Sequence, residues 1–175
     1  AQAAVKAGNT AIPVVKELTA LVHKDAAEAA RYVHWGATSQ DAMDTGLVLQ
    51  LRAGVALIER DLERLCGTLA TLAFQHRDTI QVGRTWLQHA LPVTFGLRAA
   101  GWLDMFERHR TRLCELRPRL YVLQFGGAAG TLASLGDRGL AVAHALAAEL
   151  DLQLPHMPWH GQRDNLVELA SLLGL

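Results

Sequence analysis

Apolar residues recur at steps of three and four positions over long stretches of the chain, with polar residues between them. The clearest repeat runs from Asp41 to about Arg77 and contains Leu47, Val48, Leu51, Val55, Ile58, Leu62, Leu65, Leu69 and Leu72. This spacing places the apolar side chains on one face of an α-helix. The pattern therefore predicts a single amphipathic helix about 50 Å long, at about 1.5 Å per residue.

A helical pattern also covers residues 1–30, where Ala, Leu, Val and Lys dominate. Gly8, Asn9 and Pro13 interrupt it, so we expect a break or kink there. No stretch alternates apolar and polar residues as an exposed strand does. The sequence therefore predicts an all-α fold.

Three more helices are predicted in the second half of the chain. One extends from about Pro92, which suits the first turn of a helix, to Leu116, where Pro118 stops it. The others cover residues 137–150 and 162–175, on either side of a loop with two prolines. Helices longer than a small globule needs indicate a bundle of long helices, assembled from several chains.

The composition excludes several classes of function. Hydrophobic residues make up 50% of the 175 residues, and 17 basic and 17 acidic residues give a formal net charge of zero. No overall field attracts nucleic acid or an anionic membrane, and no apolar run reaches the roughly 20 residues that span a bilayer. We therefore predict a globular protein with a small-molecule partner, no nucleic-acid partner and no membrane association.

The two cysteines, Cys66 and Cys114, lie among leucines in helical patterns. Neither has a second Cys or a His beside it at metal-ligand spacing. We predict that both are reduced core thiols of a cytoplasmic protein, and we predict no metal and no cofactor.

The segment HWGATSQD, residues 34–41, directly precedes the long helix. Thr38 or Ser39 can cap that helix while Asp41 lies in its first turn, as in a capping box. The same atoms can bind a substrate, because the free N–H groups and the dipole at a helix start attract a carboxylate. His34 could add a charge or a proton. The residues alone leave both interpretations open.

A second polar segment, GRTWLQHALP at residues 83–92, lies between two of the predicted helices. It brings together Arg84, Thr85, Trp86, Gln88 and His89. One interpretation is a helix connection with a buried Trp, and the other is part of a substrate site.

Two later segments carry further polar or glycine-rich patterns. QFGGAAGTLASLG lacks the Lys-Ser/Thr pair of a phosphate-binding loop, so a nucleotide site is not predicted and close packing is the alternative. In PWHGQRD, His160 could carry a proton and Arg163 could clamp a carboxylate in a bidentate manner. Arg163 and Asp164 could equally form an ordinary pair on a helix surface.

Three of these motifs, in this order, resemble the fumarase/aspartase superfamily. HWGATSQDAMDT is similar to its first characteristic region, GRTWLQHALPVTFG to its second, and LQFGGAAGTLASLG to the glycine-rich segment that follows. The resemblance covers the whole chain but less than half of a typical member, so we interpret the chain as a piece of a longer protein. It implies that residues 1–40 end an N-terminal helical domain and that residues 41–175 begin the central long-helix bundle.

The resemblance also implies a homotetramer whose active sites draw on three subunits. By position, Thr38, Ser39 and Gln40 match carboxylate-binding residues of the first region, and Thr85 and Gln88 match those of the second. The candidate proton-transfer residue in this chain is His160, and the alternative donor is a residue of the superfamily's flexible loop, which this sequence does not include. The complete set of candidate substrate contacts is His34, Thr38, Ser39, Gln40, Arg84, Thr85, Trp86, Gln88 and Arg163.

Trp86 occupies the position of the usual superfamily His, and an indole cannot titrate in place of an imidazole. This departure disfavours fumarase, argininosuccinate lyase and adenylosuccinate lyase activities. The resemblance implies instead the branch that closes a lactone ring in a carboxylated muconate without a cofactor, in the protocatechuate branch of aromatic degradation. The alternatives are another lyase, adenylosuccinate lyase-like, and a helical scaffold without catalysis. We expect the 175-residue chain alone to be inactive.

Overall fold

The computed structural model describes residues 1–175 and is mostly helical. In chain order the elements are α1 (Gln2–Ala7), α2 (Ala11–Asp25), α3 (Ala27–Ala30), α4 (Ser39–Gln75), β1 (Ile80–Thr85), β2 (Gln88–Thr94), α5 (Phe95–Leu120), a 3₁₀ helix (Ala133–Arg138), α6 (Gly139–Leu150) and α7 (Asp164–Leu173). None of the helices combines the length and apolar character needed to cross a bilayer. The predicted helical fold is confirmed, with one hairpin added to it.

The long amphipathic helix is confirmed as α4, which runs for 37 residues and lies within two residues of the predicted bounds. The break near the start of the chain is confirmed as well. Helix α1 ends at Gly8, whose φ of 72° is a left-handed conformation that glycine adopts without a steric penalty. Pro13 falls in the first turn of α2, where its missing N–H costs no hydrogen bond, and the helix continues through it.

The absence of strands was predicted wrongly. Strands β1 and β2 pair antiparallel, with Ile80 opposite Thr94 and Thr85 opposite Gln88. A two-residue turn joins them, and both of its residues have positive φ, as a tight hairpin requires. The sequence concealed this hairpin because most of its residues are exposed, so no buried face imposes an alternation of apolar and polar residues.

Both proline boundaries predicted for the second long helix are wrong. Pro92 lies in β2, opposite Val82, and α5 begins three residues later at Phe95. An edge strand tolerates a proline because one side of its backbone needs no ladder hydrogen bond. At the other end, α5 continues through Pro118 to Leu120.

The chain divides into two compact units. The first comprises Ala1–Arg52 with Pro118–Leu169, and the second comprises Ala53–Arg117 with Ala170–Leu175. The core of the first unit consists of Val48, Leu123, Phe125, Leu132, Ala143, Ala147, Leu152 and Trp159. It joins the first turns of α4 to the segment after α5 and to α6, so the loops of this unit converge near the start of α4.

The second unit contains the hairpin and most of the length of α4 and α5. Its buried side chains include Val55, Leu69 and Leu113. Both cysteines belong to it and both are free thiols. Cys66 is buried as predicted, and burial raises the pKa of its thiol. Cys114 was predicted to lie in the core, and this is wrong: it is exposed on α5, although its neighbour Leu113 is buried.

Candidate functional site at the start of helix α4

Asp41, in the first turn of α4, is a buried carboxylate surrounded by N–H donors. Only 2% of the residue is exposed. Its Oδ2 accepts the backbone N–H groups of Thr38 at 2.9 Å and Gly127 at 2.8 Å. Its Oδ1 accepts the side-chain amide of Gln124 and the backbone N–H of Gly126, each at 3.1 Å. These bonds replace the water that burial removes from the carboxylate.

The bond from Thr38 is one half of the capping box predicted from the sequence. Asp41 accepts the N–H of the residue that precedes the helix, and the carbonyl of that residue accepts the N–H of Ala42. The capping box is therefore confirmed for the bond that Asp41 accepts, whereas the predicted cap by the hydroxyl of Thr38 or Ser39 is not formed. The bonds from the glycine-rich segment go further, because they tie the helix start to residues more than 80 positions away.

His160 provides the fifth donor to Asp41. Its Nε2 lies 2.7 Å from Asp41 Oδ1, and its side chain is 23% exposed. Because an ionised carboxylate can only accept hydrogen bonds, the ring donates from Nε2, and in its neutral form the lone pair is on Nδ1. The carbonyl of His160 in turn accepts the side-chain amide of Gln40 at 2.9 Å. The backbone and the ring of His160 are thus both held by the first turn of α4.

A second acidic residue, Asp44, is clamped by Arg163. Two guanidinium nitrogens lie 2.6 and 2.9 Å from the two carboxylate oxygens, and Gln40 adds a bond at 3.2 Å. Burial of Asp44 acts to raise its pKa. The hydrogen bonds from Arg163 and Gln40, with the positive charge of Arg163, outweigh that effect and hold the pKa of Asp44 below its ordinary value. The bond to Asp44 raises the pKa of Arg163 in turn.

These two contacts form a matched set, which we term the paired clamp: Asp41 with His160, and Asp44 with Arg163. Asp41 and Asp44 lie three positions apart and therefore on one face of α4. Their partners are also three positions apart, in the segment that leads into α7. Trp159 anchors that segment, since its indole Nε1 donates to the carbonyl of Leu123 at 3.0 Å.

Gln124 connects the clamp to the core. Its side-chain oxygen accepts the backbone N–H of Trp159 at 2.7 Å while its amide donates to Asp41. The hydroxyl of Thr45 donates to the carbonyl of Gln124 at 2.9 Å and accepts the backbone N–H of Gln124 at 3.0 Å. Gln124 and Thr45 are both buried, so the polar groups around the clamp form one satisfied network.

The remaining donors at the helix start face no partner within the chain. The N–H groups of Ser39, Gln40 and Asp41 precede the first helical hydrogen bond, which Ala42 donates. The hydroxyls of Thr38 and Ser39 make no hydrogen bond within the chain, and both residues are half-buried. This group of N–H and O–H donors at the positive end of a helix dipole is suited to a carboxylate.

A cavity of about 410 Å³ opens beside this region in the first unit. His34 and Asp41 line it together with Trp35, Thr45 and Gln124, and the rest of its wall is mainly apolar. The predicted site residues Thr38, Ser39, Gln40, His160 and Arg163 do not line it. His34 therefore lines a cavity that those five residues do not share.

The other predicted residues, Arg84, Thr85, Trp86 and Gln88, lie on the hairpin of the second unit. All four are exposed, and Trp86 is 96% exposed at the hairpin turn. The segment does connect two long helices, α4 and α5, but the prediction that its Trp is buried is wrong. A role for these side chains in substrate binding stays a prediction.

The sequence analysis missed two residues of the site, Asp44 and Gln124. For Asp44, the D-x-x-D spacing at the helix start and the H-x-x-R spacing later were visible signals, whereas nothing in the sequence pointed to Gln124. The alternative pairing of Arg163 with Asp164 is wrong, since Arg163 binds Asp44. The carboxylate that Arg163 clamps here belongs to the chain itself.

The fold and the site define a class of protein: a helical scaffold in which the loops of one unit converge on the donor-rich start of a very long helix. The chain belongs to the Lyase family, whose model matches residues 3–175. The resemblance to the fumarase/aspartase superfamily is thereby confirmed.

Individual relatives are similar over the whole chain. A 3-carboxy-cis,cis-muconate cycloisomerase of Pseudomonas aeruginosa is 64% identical over 175 residues, which are 100% of this chain and 38% of that protein. The crystal structure of the 3-carboxy-cis,cis-muconate lactonizing enzyme from Pseudomonas putida is 61% identical, with a TM-score of 0.94 over 99% of this chain and 39% of that one. A fumarate lyase from Mesorhizobium sp. BNC1 is 51% identical, with a TM-score of 0.93 over 98% of this chain and 40% of that one. The chain thus spans about two fifths of the length of these proteins.

Proposed function

We propose that the protein to which this chain belongs cyclises 3-carboxy-cis,cis-muconate to 4-carboxymuconolactone, without a cofactor, in protocatechuate degradation. The observation that carries this proposal is the 64% identity with a cycloisomerase across the entire chain, a match whose span includes the helix start, the hairpin and the His160 segment. We also propose that the protein is a cytoplasmic homotetramer assembled through its long helices, as the over-long amphipathic helix α4 supports.

The proposed reaction is an intramolecular addition. A carboxylate oxygen of the muconate forms a C–O bond to a carbon of the diene, and the π electrons move into the neighbouring carboxyl group as an aci-carboxylate. A proton is then added to the adjacent carbon. One negative charge is lost when the ring oxygen forms, so each turnover consumes one proton from solution.

Such a reaction needs donors that hold the spectator carboxylates and stabilise the developing charge. The hydroxyls of Thr38 and Ser39 and the free N–H groups beside them form one such set. Gln40 is already bonded to His160 and Asp44, so its side chain orients the clamp while its N–H stays available. We propose that these groups bind one carboxylate of the substrate.

The guanidinium of Arg163 is bound by Asp44, so this cation is not free to balance the charge of a trianionic substrate. We propose that Arg84, Thr85, Trp86 and Gln88 complete the site from the hairpin of another copy of the chain. Their exposure is consistent with this role, since nothing in their own chain covers them.

His160 is the proposed proton carrier. Its Nε2 is held by Asp41, and Nδ1 is the ring atom left for proton transfer. The 23% exposure of the side chain allows solvent to supply the proton that each turnover consumes.

The test is the ultraviolet absorbance of 3-carboxy-cis,cis-muconate mixed with the intact protein, with chelator present and no cofactor added. We expect the diene band to disappear with the uptake of one proton per molecule, measured with a pH indicator in weak buffer. Glu168→Gln, which alters only an exposed ion pair with Arg119, is the control variant and should retain full activity.

An unchanged band from a folded, correctly assembled protein would overturn the proposal. Turnover of adenylosuccinate or a related substrate would then support the other lyase activity, and no turnover of any would support the scaffold without catalysis. The 175-residue chain alone should show no turnover in the same assay, because sites completed by several subunits need the assembled protein.

A further inference from the structure

We propose that Asp41 is a positioning residue for His160: it fixes the imidazole with Nε2–H directed at the carboxylate, so that Nδ1 is the atom that carries the proton. This inference rests on the proposed function and deepens it. It assigns a role in catalysis to a residue that the sequence indicated only as a helix cap.

Asp41 is a suitable anchor because it cannot move without breaking bonds. Four donors besides His160 hold its two oxygens, and three of them are backbone N–H groups of Thr38, Gly126 and Gly127. The fourth donor, Gln124, is itself fixed by Thr45 through two buried hydrogen bonds. A cap needs only the bond from Thr38, so the other donors hold the carboxylate in a position that capping does not explain.

The ring of His160 is fixed from several sides. Its backbone carbonyl accepts the amide of Gln40, and Trp159 before it is buried and bonded through both of its nitrogens. The ring also packs over Gly126, where an added Cβ atom would lie 2.7 Å from Pro158 Cβ and 2.9 Å from His160 Cε1. A side chain at that position would therefore crowd both Pro158 and the ring, whose Nε2 lies 2.7 Å from Asp41.

The charges around His160 are arranged for a cationic ring. The carboxylate of Asp41 touches Nε2, and Asp44 lies one helical turn further along α4. Arg163 is the cation on the facing segment, and its charge is balanced by its bidentate bond to Asp44. One carboxylate therefore remains for the imidazolium, and it is Asp41.

The proposed proton transfer balances as follows. The imidazolium releases the proton on Nδ1 to the carbon next to the new C–O bond, and the electron pair of the aci-carboxylate forms the C–H bond. The neutral ring keeps its proton on Nε2, bonded to Asp41. A proton from solvent then returns to Nδ1, so Asp41 holds the same bond throughout and transfers no proton itself.

The test is a double-mutant cycle on kcat and KM in the intact protein, with Asp41→Asn, His160→Gln and the two combined. Glutamine keeps a donor near the position of Nε2 and so preserves the bond to Asp41, but it cannot carry a proton. We expect His160→Gln to lower kcat by roughly 10²- to 10⁴-fold with little change in KM, which is the range for general acid catalysis. Asp41→Asn should lower kcat on the order of tenfold to hundredfold alone, and it should lower kcat no further when His160 is already glutamine.

Arg52→Met is the matched control, because it removes hydrogen bonds that the same helix donates to the carbonyls of Leu150 and Asp151 but leaves Asp41, Gln124 and His160 untouched. Its effect on kcat should be the same factor whether residue 160 is His or Gln. This comparison separates loss of the proton carrier from general damage to the first unit.

If Asp41→Asn lowers kcat equally in both backgrounds, Asp41 is only structural and the inference is overturned. If the wild-type protein does not turn over the muconate, the proposed function fails first and the inference falls with it. If Asp41→Asn does not fold, Gly126→Ala replaces it in the cycle, since the added methyl would crowd the His160 ring as well as Pro158 and keeps the carboxylate. If Gly126→Ala lowers kcat by the same factor in the wild-type and the His160→Gln backgrounds, the inference is overturned as well.

Discussion

The pair formed by Asp44 and Arg163 should be the strongest ionic contact of the first unit, and its strength can be predicted from its geometry. Asp44 is 6% exposed, and two charge-assisted hydrogen bonds of 2.6 and 2.9 Å join it to the guanidinium. Replacing Asp44 by Asn leaves a carboxamide that can accept only one of those bonds and carries no charge. The half-buried guanidinium of Arg163 then lacks its counter-ion.

The expected cost follows from these contacts. A hydrogen bond to a charged group contributes about 1.5–3 kcal/mol, and loss of a fully buried partner costs about 3–5 kcal/mol. The Arg163 side chain is 36% exposed, so solvent screens part of the interaction. We therefore expect Asp44→Asn to lower the free energy of unfolding by about 2 kcal/mol, and a cycle with Arg163→Met to give a coupling energy of about 1–2 kcal/mol.

The pH dependence of this effect has a definite sign. The pKa of Asp44 is lowered in the folded protein from an ordinary value of about 3.8. Its contribution to stability is therefore complete above that value, and it is lost as the pH falls through the lower, folded-state pKa. The difference between wild type and Asp44→Asn should be constant from pH 7 to pH 5 and should shrink below pH 4, as about 3.8 is passed.

Urea unfolding followed by circular dichroism, at one fixed protein concentration, measures both quantities. Glu168→Gln is the matched control, because its bond to Arg119 joins two exposed side chains and should contribute less than about 1 kcal/mol. A coupling energy between Asp44 and Arg163 no larger than that of the control pair would refute the reasoning. So would a difference between wild type and Asp44→Asn that grows on acidification.

Three further substitutions test other parts of the structure by the same unfolding measurement. Thr45→Val should cost about 1–3 kcal/mol because it leaves buried backbone groups of Gln124 unsatisfied, whereas Thr45→Ser should restore most of the loss. Gly36→Ala should destabilise the protein, since its φ is 82° and the new methyl would lie 2.5 Å from Leu135 Cγ; unchanged stability would contradict this packing. Leu87→Gly should stabilise the hairpin by up to about 1 kcal/mol, because it relieves a φ of 65°, and a loss of stability would show that the leucine side chain has a partner in the assembly.

Sequence periodicity predicted the long helices well because their burial is one-sided. The repeat from Leu47 to Leu72 continues along one face of α4, and the predicted and observed bounds differ by two residues. Periodicity did not predict the hairpin, because its mostly exposed residues show no alternation of buried and exposed positions. Its turn residues, Trp86 and Leu87, are also not the Asn-Gly type that normally marks a tight hairpin.

The sequence predicted only those contacts of the site that form between residues close together in the chain. A helix start with hydroxyls and Asp41 in its first turn is visible in eight consecutive letters, and the capping bond follows from them. The partners of Asp41 and Asp44 lie 119 positions away, and no local rule brings them there. Their meeting depends on the core of the first unit, which packs Trp159 against Leu123.

The structure reconciles the two interpretations of the helix start. Capping uses the inner side, where Asp41 takes the N–H of Thr38 and where the buried network supplies the other donors. Under the proposed function, a substrate carboxylate uses the outer side, where the N–H groups of Ser39 and Gln40 and the hydroxyls remain. All of these outer donors are neutral, and the guanidinium of Arg163 is bound to Asp44. Under the proposed function, the helix start therefore orients a substrate carboxylate, and positive charge to balance a trianion has to come from outside these donors.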